Sequence, residues 1–422
     1  MSVTTFLAVL GGLLALAFVA NRLFRLTRIP DVIVLLAVGL LLGPVLGWVQ
    51  PAAFRTITDA LGTLALILIL FEGGLDLNLR DTVRHFPGGV LLAFLGYGLS
   101  LGLVALVAWK SGLPSVPALL VGAVLGCTSS SIVLPVLQQL EIRDPLRVIL
   151  LIDSSLGDVL AVTTVSVLLD FGAHSGSLVG GFLGGVTLKM IASVAAAVVA
   201  GALWSRVLPL LSEQRFWQAV TFSVVLLLYS ATEAAGHSGL LSVLAFGLTL
   251  ANVRRIDPRL LGVFFAVVPA RKEHQEQQEH QEHHVQLLAF YSEMAFLVRT
   301  FFFVLLGVVV DVRGLKGHLL LTMGTLGALV VARAAAVTAS RWSWGALGPQ
   351  DQGIALWVFP RGLITAVLAI QVLNAQGKQF DFLPALAFAT IVVTNILVIF
   401  GSIGAKRGGR PPVALSPPAA QD

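Results

Sequence analysis

The sequence predicts an all-α, polytopic membrane protein with about thirteen transmembrane helices. Its 422 residues are 57% hydrophobic and only 12% charged, and its mean hydropathy is +0.92, which soluble globular domains do not reach. The apolar residues form runs close to the ~20 residues that a helix needs to cross a bilayer core of ~30 Å. These runs do not alternate with polar residues, so the pattern excludes a transmembrane β-barrel.

Apolar runs between polar breaks place the spans in order along the chain. They cover residues 4–21, 30–49, 57–75, 88–109, 116–138, 146–170, 178–206, 216–234, 239–252, 288–310, 317–338, 353–373 and 383–403. The run at 239–252 is short, and a merger with residues 260–268 would give twelve or fourteen spans instead. We expect residues 1–404 to form one membrane domain and residues 405–422, rich in Pro and Ala, to form a disordered tail.

Basic residues are distributed unequally between alternate loops. One side collects eighteen Lys and Arg, including the loop "NRLFRLTR", and the other side collects five. The positive-inside rule therefore predicts an external N-terminus and a cytoplasmic C-terminus. We expect a multi-pass integral membrane protein of the bacterial inner (cell) membrane. The net charge of +5 comes from these loops, so a nucleic-acid partner is not expected. The single cysteine, Cys127, excludes a disulfide within the chain.

Two spans are interrupted near the middle. One contains "GCTSSS" followed by Pro135, and the other contains "FPRG" at residues 359–362. Proline removes a backbone donor and glycine loosens a helix. If the chain consists of two inverted repeats of six spans joined by the seventh, the breaks fall in the equivalent spans five and twelve, as in transporter binding sites. The alternative is two unrelated kinks.

Charged residues within the spans point to a polar centre. The stretch "LIDSSLGDVL" carries Asp153, Ser154 and Asp158 in an otherwise apolar run. A charge at the bilayer centre normally faces a partner or a water-filled cavity. At about 100° per residue, Ser154 and Asp158 share one helix face, whereas Asp153 and Asp158 diverge by about 140°. We therefore expect Asp158 to face a cation path and Asp153 to pair with an arginine on a neighbouring helix.

A buried acid can exchange a proton for a cation. Burial disfavours the charged form of a carboxylate and a bound cation favours it, so the two ions compete for one site. Hard monovalent cations prefer oxygen ligands, which the hydroxyls and free carbonyls of an unwound "CTSSS" segment supply. Asp158 and this segment therefore predict a site for Na⁺ or K⁺ and H⁺, without a cofactor. No nucleophile–base constellation or nucleotide loop indicates an enzyme.

With these residues identified, the chain resembles the monovalent cation:proton antiporter superfamily, in particular the sodium/proton exchanger and cell-volume-regulation branch. The motifs occur in family order between about Glu72 and Asn395. They are "LFEGGLDL", "GAVLGCTSSSIVLPVLQQL", "DSSLGD", "YSATEAAGHSGLLSVLAFGLTLAN", "RTFFFVLLG" and "FPRGLITAVLAI". The resemblance implies a core domain with two crossing broken helices, a dimerisation domain, a homodimer, and a role in pH homeostasis.

The resemblance also implies roles for individual residues. Asp158 matches the essential ion- and proton-binding aspartate. The cation ligands would be Asp158, Ser154, Thr128 through its carbonyl, and Ser129 in the unwound segment, together with the third-span acid Glu72. Asp153 matches a glutamate that pairs with an arginine, by position Arg333. Arg361 matches the Arg-Gly of the second broken helix, where its charge would offset exposed carbonyls.

Two departures from the family pattern leave the exchange mode and the cation open. Thr128 is followed by two serines where the family often has Asp-Pro, and Gly157 stands where it has Asn, Asp or Gln. The serine-rich segment is typical of potassium-efflux proteins. The alternatives to a Na⁺/H⁺ or K⁺/H⁺ antiporter are a K⁺ efflux system gated by a separate partner, and a channel or sensor on the same scaffold.

The segment "RKEHQEQQEHQEHH" combines four histidines with four glutamates. A metal site or a pH sensor is one interpretation, because histidine titrates near neutrality. We favour a solvated, flexible cytoplasmic loop.

Overall fold

The computed structural model describes residues 11–12, 14–16, 18–19, 22, 30–47, 55–76, 86–140, 142–173, 180–211, 214, 216–252, 273–345 and 347–407. These ranges consist of helices and connecting turns and contain no strand. The helices are α1 Asp31–Leu40, α2 Arg55–Asp76, α3 Phe86–Lys110, α4 Ser115–Leu125, α5 Ser130–Gln139, α6 Asp144–Ala173, α7 Gly180–Leu211, α8 Trp217–Ala234, α9 Gly239–Asn252, α10 Glu273–Val309, α11 Leu319–Ser340, α12 Pro349–Trp357, α13 Leu363–Gln376 and α14 Leu383–Arg407.

The helices confirm the predicted all-α membrane fold. Six segments are long and apolar enough to cross a bilayer: Pro87–Lys110, Ser115–Val133, Asp144–Leu169, Met190–Leu208, Val285–Val309 and Leu319–Ser343. Shorter apolar helices are Asp31–Val45, Ala60–Leu75, Gly239–Asn252 and Leu383–Ile399. Each predicted span after the first coincides with a helix, or with a pair of helices for the two interrupted spans. Much of the first span and residues 260–268 lie outside the described residues, so the total of thirteen stays a prediction.

Two boundaries differ from the sequence prediction. Helix α10 begins at Glu273, so the loop prediction for the His-rich segment was wrong for the backbone of residues 273–284. The segment contains Glu and Gln, which are good helix formers, and neither Gly nor Pro. Its four histidine side chains lie outside the described residues. Helix α14 continues to Arg407, beyond the predicted domain end at residue 404.

The helices form two groups that meet along a shared interface. In the first group α1 and α2 pack on α10, and α9 packs on α2, α7 and α8. In the second group α3 packs on α4, α6 and α11, and α14 packs on α12 and α13. Fewer contacts join the groups, chiefly those of α13 with α2 and α10 and those of α6 with α7 and α9.

Close glycine crossings fix the first group internally. A Cβ at Gly307 in α10 would lie 2.5 Å from the Leu36 carbonyl oxygen and 2.9 Å from the Gly39 Cα in α1. Likewise, a Cβ at Gly247 in α9 would lie 2.7 Å from the Phe71 carbonyl oxygen in α2. Small residues let membrane helices approach through their backbones, so these pairs pack without intervening side chains.

The second group contains the two broken helices, and they cross. Residues 126–129 separate α4 from α5, and residues 358–362 separate α12 from α13. The Ser129 N–H donates to the Pro360 carbonyl across the crossing, at 2.9 Å. A Cβ at Gly362 would lie 2.5 Å from the Ser129 Oγ and 2.8 Å from the Ser129 Cβ. The absence of a side chain at residue 362 therefore permits the breaks to touch.

Candidate functional site

Four helix ends converge where the broken helices cross. Helices α4 and α12 end at Leu125 and Trp357, and helices α5 and α13 begin at Ser130 and Leu363. A helix N-terminus carries a partial positive charge and a C-terminus a partial negative charge. The centre of the second group therefore combines free backbone donors and acceptors with dipoles of both signs, which is the arrangement of ion sites in transporters.

Asp158 lies on α6 directly against the N-terminus of α5. Its side chain has no exposed surface. The Asp158 Oδ2 atom accepts hydrogen bonds from the Ser130 N–H at 3.1 Å and from the Ser130 hydroxyl at 2.5 Å. The Oδ1 atom is buried and makes no hydrogen bond within the part of the chain that the structure describes. One carboxylate oxygen is thus held by the protein, and the other has no hydrogen-bond partner among the described residues.

The predicted ligands Thr128 and Ser154 lie beside Asp158. A Cβ at Gly157 would be 3.7 Å from both the backbone nitrogen and the carbonyl oxygen of Thr128, so the backbone of Thr128 lies against α6 at the residue before the acid. Ser154 is fully buried one turn before Asp158, and its hydroxyl donates to the Leu151 carbonyl at 3.1 Å. Its hydroxyl proton is therefore used within α6, while oxygen lone pairs stay available for a cation.

Ser129 and Ser130 have different contacts. The Ser129 Oγ lies 3.0 Å from the Ser131 Oγ, and the Ser129 N–H bonds to the second break. Ser130, which sequence analysis did not select, supplies both donors to Asp158. The signal for it was available, because Ser130 is the first residue after the unwound segment and a helix N-terminus presents free N–H groups. The sequence did not show which of three consecutive serines faces α6.

Arg361 spans the second break and reaches the first. It is 2% exposed, and its guanidinium donates to the Thr128 Oγ1 at 3.1 Å and approaches the Ser100 Oγ at 3.5 Å. Its backbone N–H donates to the Thr394 Oγ1 at 3.0 Å, and its carbonyl accepts from the Asn395 Nδ2 at 2.8 Å. Helix α14 therefore satisfies backbone groups that the break leaves free, a role that sequence analysis did not assign.

Asp153 and Arg333 form a buried ion pair between α6 and α11. The Arg333 Nη1 lies 2.7 Å from the Asp153 Oδ2, and both side chains are 4% exposed. The Arg333 Nε and Nη2 donate to the carbonyls of Ala355 and Val358, each at 2.9 Å. These carbonyls belong to the C-terminal end of α12. One guanidinium thus compensates an acid and the negative end of a half-helix at the same time.

Glu72 lies on the other side of the interface between the groups. It is half-buried on α2, in the first group, and the hydrogen bonds of Asp158 go to Ser130.

A cavity of about 360 Å³ separates α2 and α10 from α13, and its lining includes Thr63, Phe302, Gln371 and Asn374. In the described part of the chain, no three His, Cys, Asp or Glu side chains are arranged to hold a metal ion. The atoms around Asp158 include carboxylate, hydroxyl and carbonyl oxygens, which are the donors that hard cations prefer.

A comparison with protein families identifies the chain. The family model described as sodium/hydrogen exchanger, transmembrane, matches residues 13–406. The chain belongs to the sodium/hydrogen exchanger family. Membership accounts for the order of the motifs and for the paired broken helices, and it confirms the resemblance to monovalent cation:proton antiporters.

The relatives of this sodium/hydrogen exchanger family member include proteins named as Na⁺/H⁺ antiporters and proteins named as K⁺/H⁺ antiporters. The chain is 26% identical over 410 residues to the Na⁺/H⁺ antiporter ApNhaP of Aphanothece halophytica, covering 93% of this chain and 72% of that protein. It is 27% identical over 402 residues to the K⁺/H⁺ antiporter NhaP of Alkalimonas amylolytica, covering 92% and 64%. The chain therefore spans less than two thirds of the length of the second relative.

A solved structure has the same fold. The structure of the sodium proton antiporter MjNhaP1 from Methanocaldococcus jannaschii at pH 8 superposes with a TM-score of 0.73 at 20% identity, covering 95% of this chain and all of that one. At this identity the similarity establishes the arrangement of helices. The chemistry of the site is therefore argued from the residues of this chain.

Proposed function

We propose that this protein is a secondary active antiporter that exchanges a monovalent cation, Na⁺ or K⁺, for H⁺ by alternating access at Asp158. The observation that carries the proposal is the asymmetry of the carboxylate. Oδ2 accepts two hydrogen bonds from Ser130, whereas Oδ1 is buried with no hydrogen bond in the described part of the chain. A single oxygen that a proton and a cation both require couples the two ions by competition.

The remaining ligands come from the same crossing. The Thr128 carbonyl lies against Gly157, the residue before Asp158, and Ser154 lies one turn before Asp158 on α6, so both would supply neutral oxygen atoms to the cation. Ser129 holds the crossing together through the Pro360 carbonyl, so we assign it a supporting role. Glu72 on the opposite helix group would contact the cation along its path. Asp153, Arg333 and Arg361 compensate charges at the helix breaks and do not carry the transported ion.

Both cations remain candidates. The relatives include Na⁺/H⁺ and K⁺/H⁺ antiporters. The Ser154 hydroxyl and the Thr128 carbonyl are neutral oxygen ligands that do not by themselves select the smaller ion. We further propose a homodimer in the bacterial inner membrane, with an external N-terminus and with the C-terminal tail in the cytoplasm.

Reconstitution tests the exchange directly. The purified protein is placed in vesicles that carry a pH gradient and a pH-sensitive dye, and Na⁺, K⁺ or Li⁺ is added in separate runs. We expect at least one cation to dissipate the gradient with wild-type protein and none to do so with Asp158→Asn. Asp381→Asn is the matched control, because it makes the same chemical change at an exposed turn. The proposal fails if no cation dissipates the gradient or if Asp158→Asn exchanges normally.

The same vesicles separate antiport from the alternatives. A channel would carry the cation without moving protons, so the dye would respond only when a second pathway for protons is added. A sensor without transport would leave cation uptake at the level of empty vesicles. A K⁺ efflux system gated by a partner would respond to K⁺ alone and only after that partner is added.

A further inference from the structure

An arginine that is largely shielded from solvent connects the two helix groups close to the proposed exchange site. The Arg299 Nη1 on α10 donates to the Ser131 carbonyl of α5 at 2.8 Å, and its Nη2 lies 3.3 Å from the Asp31 Oδ2 at the start of α1. The side chains of Arg299 and Asp31 are 13% and 10% exposed. This guanidinium therefore joins three helices.

The Ser131 carbonyl on α5 lacks its usual donor within the helix, and the sequence shows why. The carbonyl of residue 131 would normally accept from the N–H of residue 135 in the next turn, but residue 135 is proline and has no N–H. A buried carbonyl without a donor is costly, so a replacement donor stabilises it. Arg299 supplies that donor from the other helix group.

The two ends of this link belong to units that are separately packed. Asp31 and Arg299 both lie in the first group, where α1 and α10 contact each other through Gly39 and Gly307. Ser131 lies in the second group and directly follows Ser130, which binds Asp158. A movement of one group past the other would therefore separate Arg299 from the Ser131 carbonyl while leaving the Arg299–Asp31 pair intact.

We propose that Arg299 is a positioning residue that holds the first turn of α5 against the α1–α10 unit and thereby favours the state of the transporter seen here. The inference rests on the proposed exchange by alternating access. Asp31 neutralises the guanidinium, so Arg299 can donate to the site helix without placing an uncompensated positive charge near the cation. The link must open once in each transport cycle.

Sided transport measurements test this role. Right-side-out and inside-out membrane vesicles give the KM for Na⁺ and for K⁺ on each face of the membrane. Because Arg299→Gln removes a charged hydrogen bond made in one state, we expect the ratio of the two KM values to change by about tenfold. A loss of folding alone would lower the amount of active protein and leave this ratio unchanged.

A second variant weakens the link without altering the arginine. Pro135→Ala returns an N–H to α5 that competes for the Ser131 carbonyl, so we expect the KM ratio to move in the same direction as in Arg299→Gln. Pro135→Ala also tests the role of Arg299 if the Arg299→Gln variant does not fold. The control is Arg143→Gln, which breaks the 3.6 Å ion pair with Asp351 inside the second group and should not change the ratio.

The outcomes distinguish this inference from the proposed function. If the wild type exchanges neither cation, the antiporter proposal fails. If the wild type exchanges a cation and both variants keep the wild-type KM ratio, only the role of Arg299 is overturned. Shifts in opposite directions in the two variants, or an equal shift in Arg143→Gln, also overturn it.

Discussion

Ser130 directs both of its donors, the backbone N–H and the hydroxyl, at the same oxygen of Asp158. The arrangement places the carboxylate at the N-terminus of the half-helix α5, where the helix dipole favours a negative charge. It also orients the carboxylate, because only the other oxygen remains without a hydrogen-bond partner among the described residues. Ser130 thus fixes the orientation of the carboxylate at which, in the proposed mechanism, a cation and a proton compete.

Removal of the Ser130 hydroxyl should weaken cation binding. A hydrogen bond to a charged group contributes about 1.5–3 kcal/mol, and its loss favours the neutral, protonated carboxylate. We therefore expect Ser130→Ala to raise the KM for the transported cation at fixed pH by about tenfold or more, measured in reconstituted vesicles. Ser129→Ala should raise it less, since that hydroxyl contacts Ser131. A larger effect at Ser129 would contradict the assignment.

Separation of Asp153 from Arg333 should destabilise the protein. Removal of one partner of a buried ion pair costs about 3–5 kcal/mol, because the other charge stays buried without compensation. We expect Asp153→Asn and Arg333→Ala to lower the folded yield and the thermal stability in detergent, with the larger loss for Arg333, which also binds the Ala355 and Val358 carbonyls. Full stability combined with lost transport would instead place Asp153 in the ion path.

A methyl group at residue 362 should separate the two breaks. In Gly362→Ala the new Cβ would lie 2.5 Å from the Ser129 Oγ, and overpacking of this kind costs about 1–3 kcal/mol. We expect lower thermal stability and slower exchange. Gly353→Ala in α12 is the control, because a Cβ there meets nothing within 4 Å. Equal behaviour of the two variants would show that the breaks do not depend on this contact.

Gly157 should tolerate a side chain. A Cβ at this position would contact the Thr128 nitrogen and oxygen at 3.7 Å, an ordinary van der Waals distance, and glycine in a helix costs about 1 kcal/mol relative to alanine. We expect Gly157→Ala to keep exchange activity and to raise the unfolding temperature in detergent. Loss of exchange with intact folding would show that the Thr128 peptide needs the open space.

The sequence predicted the membrane class, the interrupted spans and the acids within them, because each depends on composition or on local helix geometry. It also placed Asp158 and Ser154 on one helix face, since that angle follows from their spacing. It did not predict that the His-rich segment preceding residue 285 is helical, because the prevalence of charged and polar residues there suggested a loop.

Contacts between distant segments could be obtained only from the tertiary structure. The choice of Ser130 over Ser129 depends on how the unwound segment turns against α6, and the roles of Thr394 and Asn395 depend on where α14 passes the second break. The bond from Arg299 to Ser131 depends on the meeting of two helix groups. Local sequence thus determined which residues are polar and where the helices are interrupted. The packing of separate helices decided which of those polar groups meet, because a helix break leaves donors and acceptors that any neighbour in reach can satisfy.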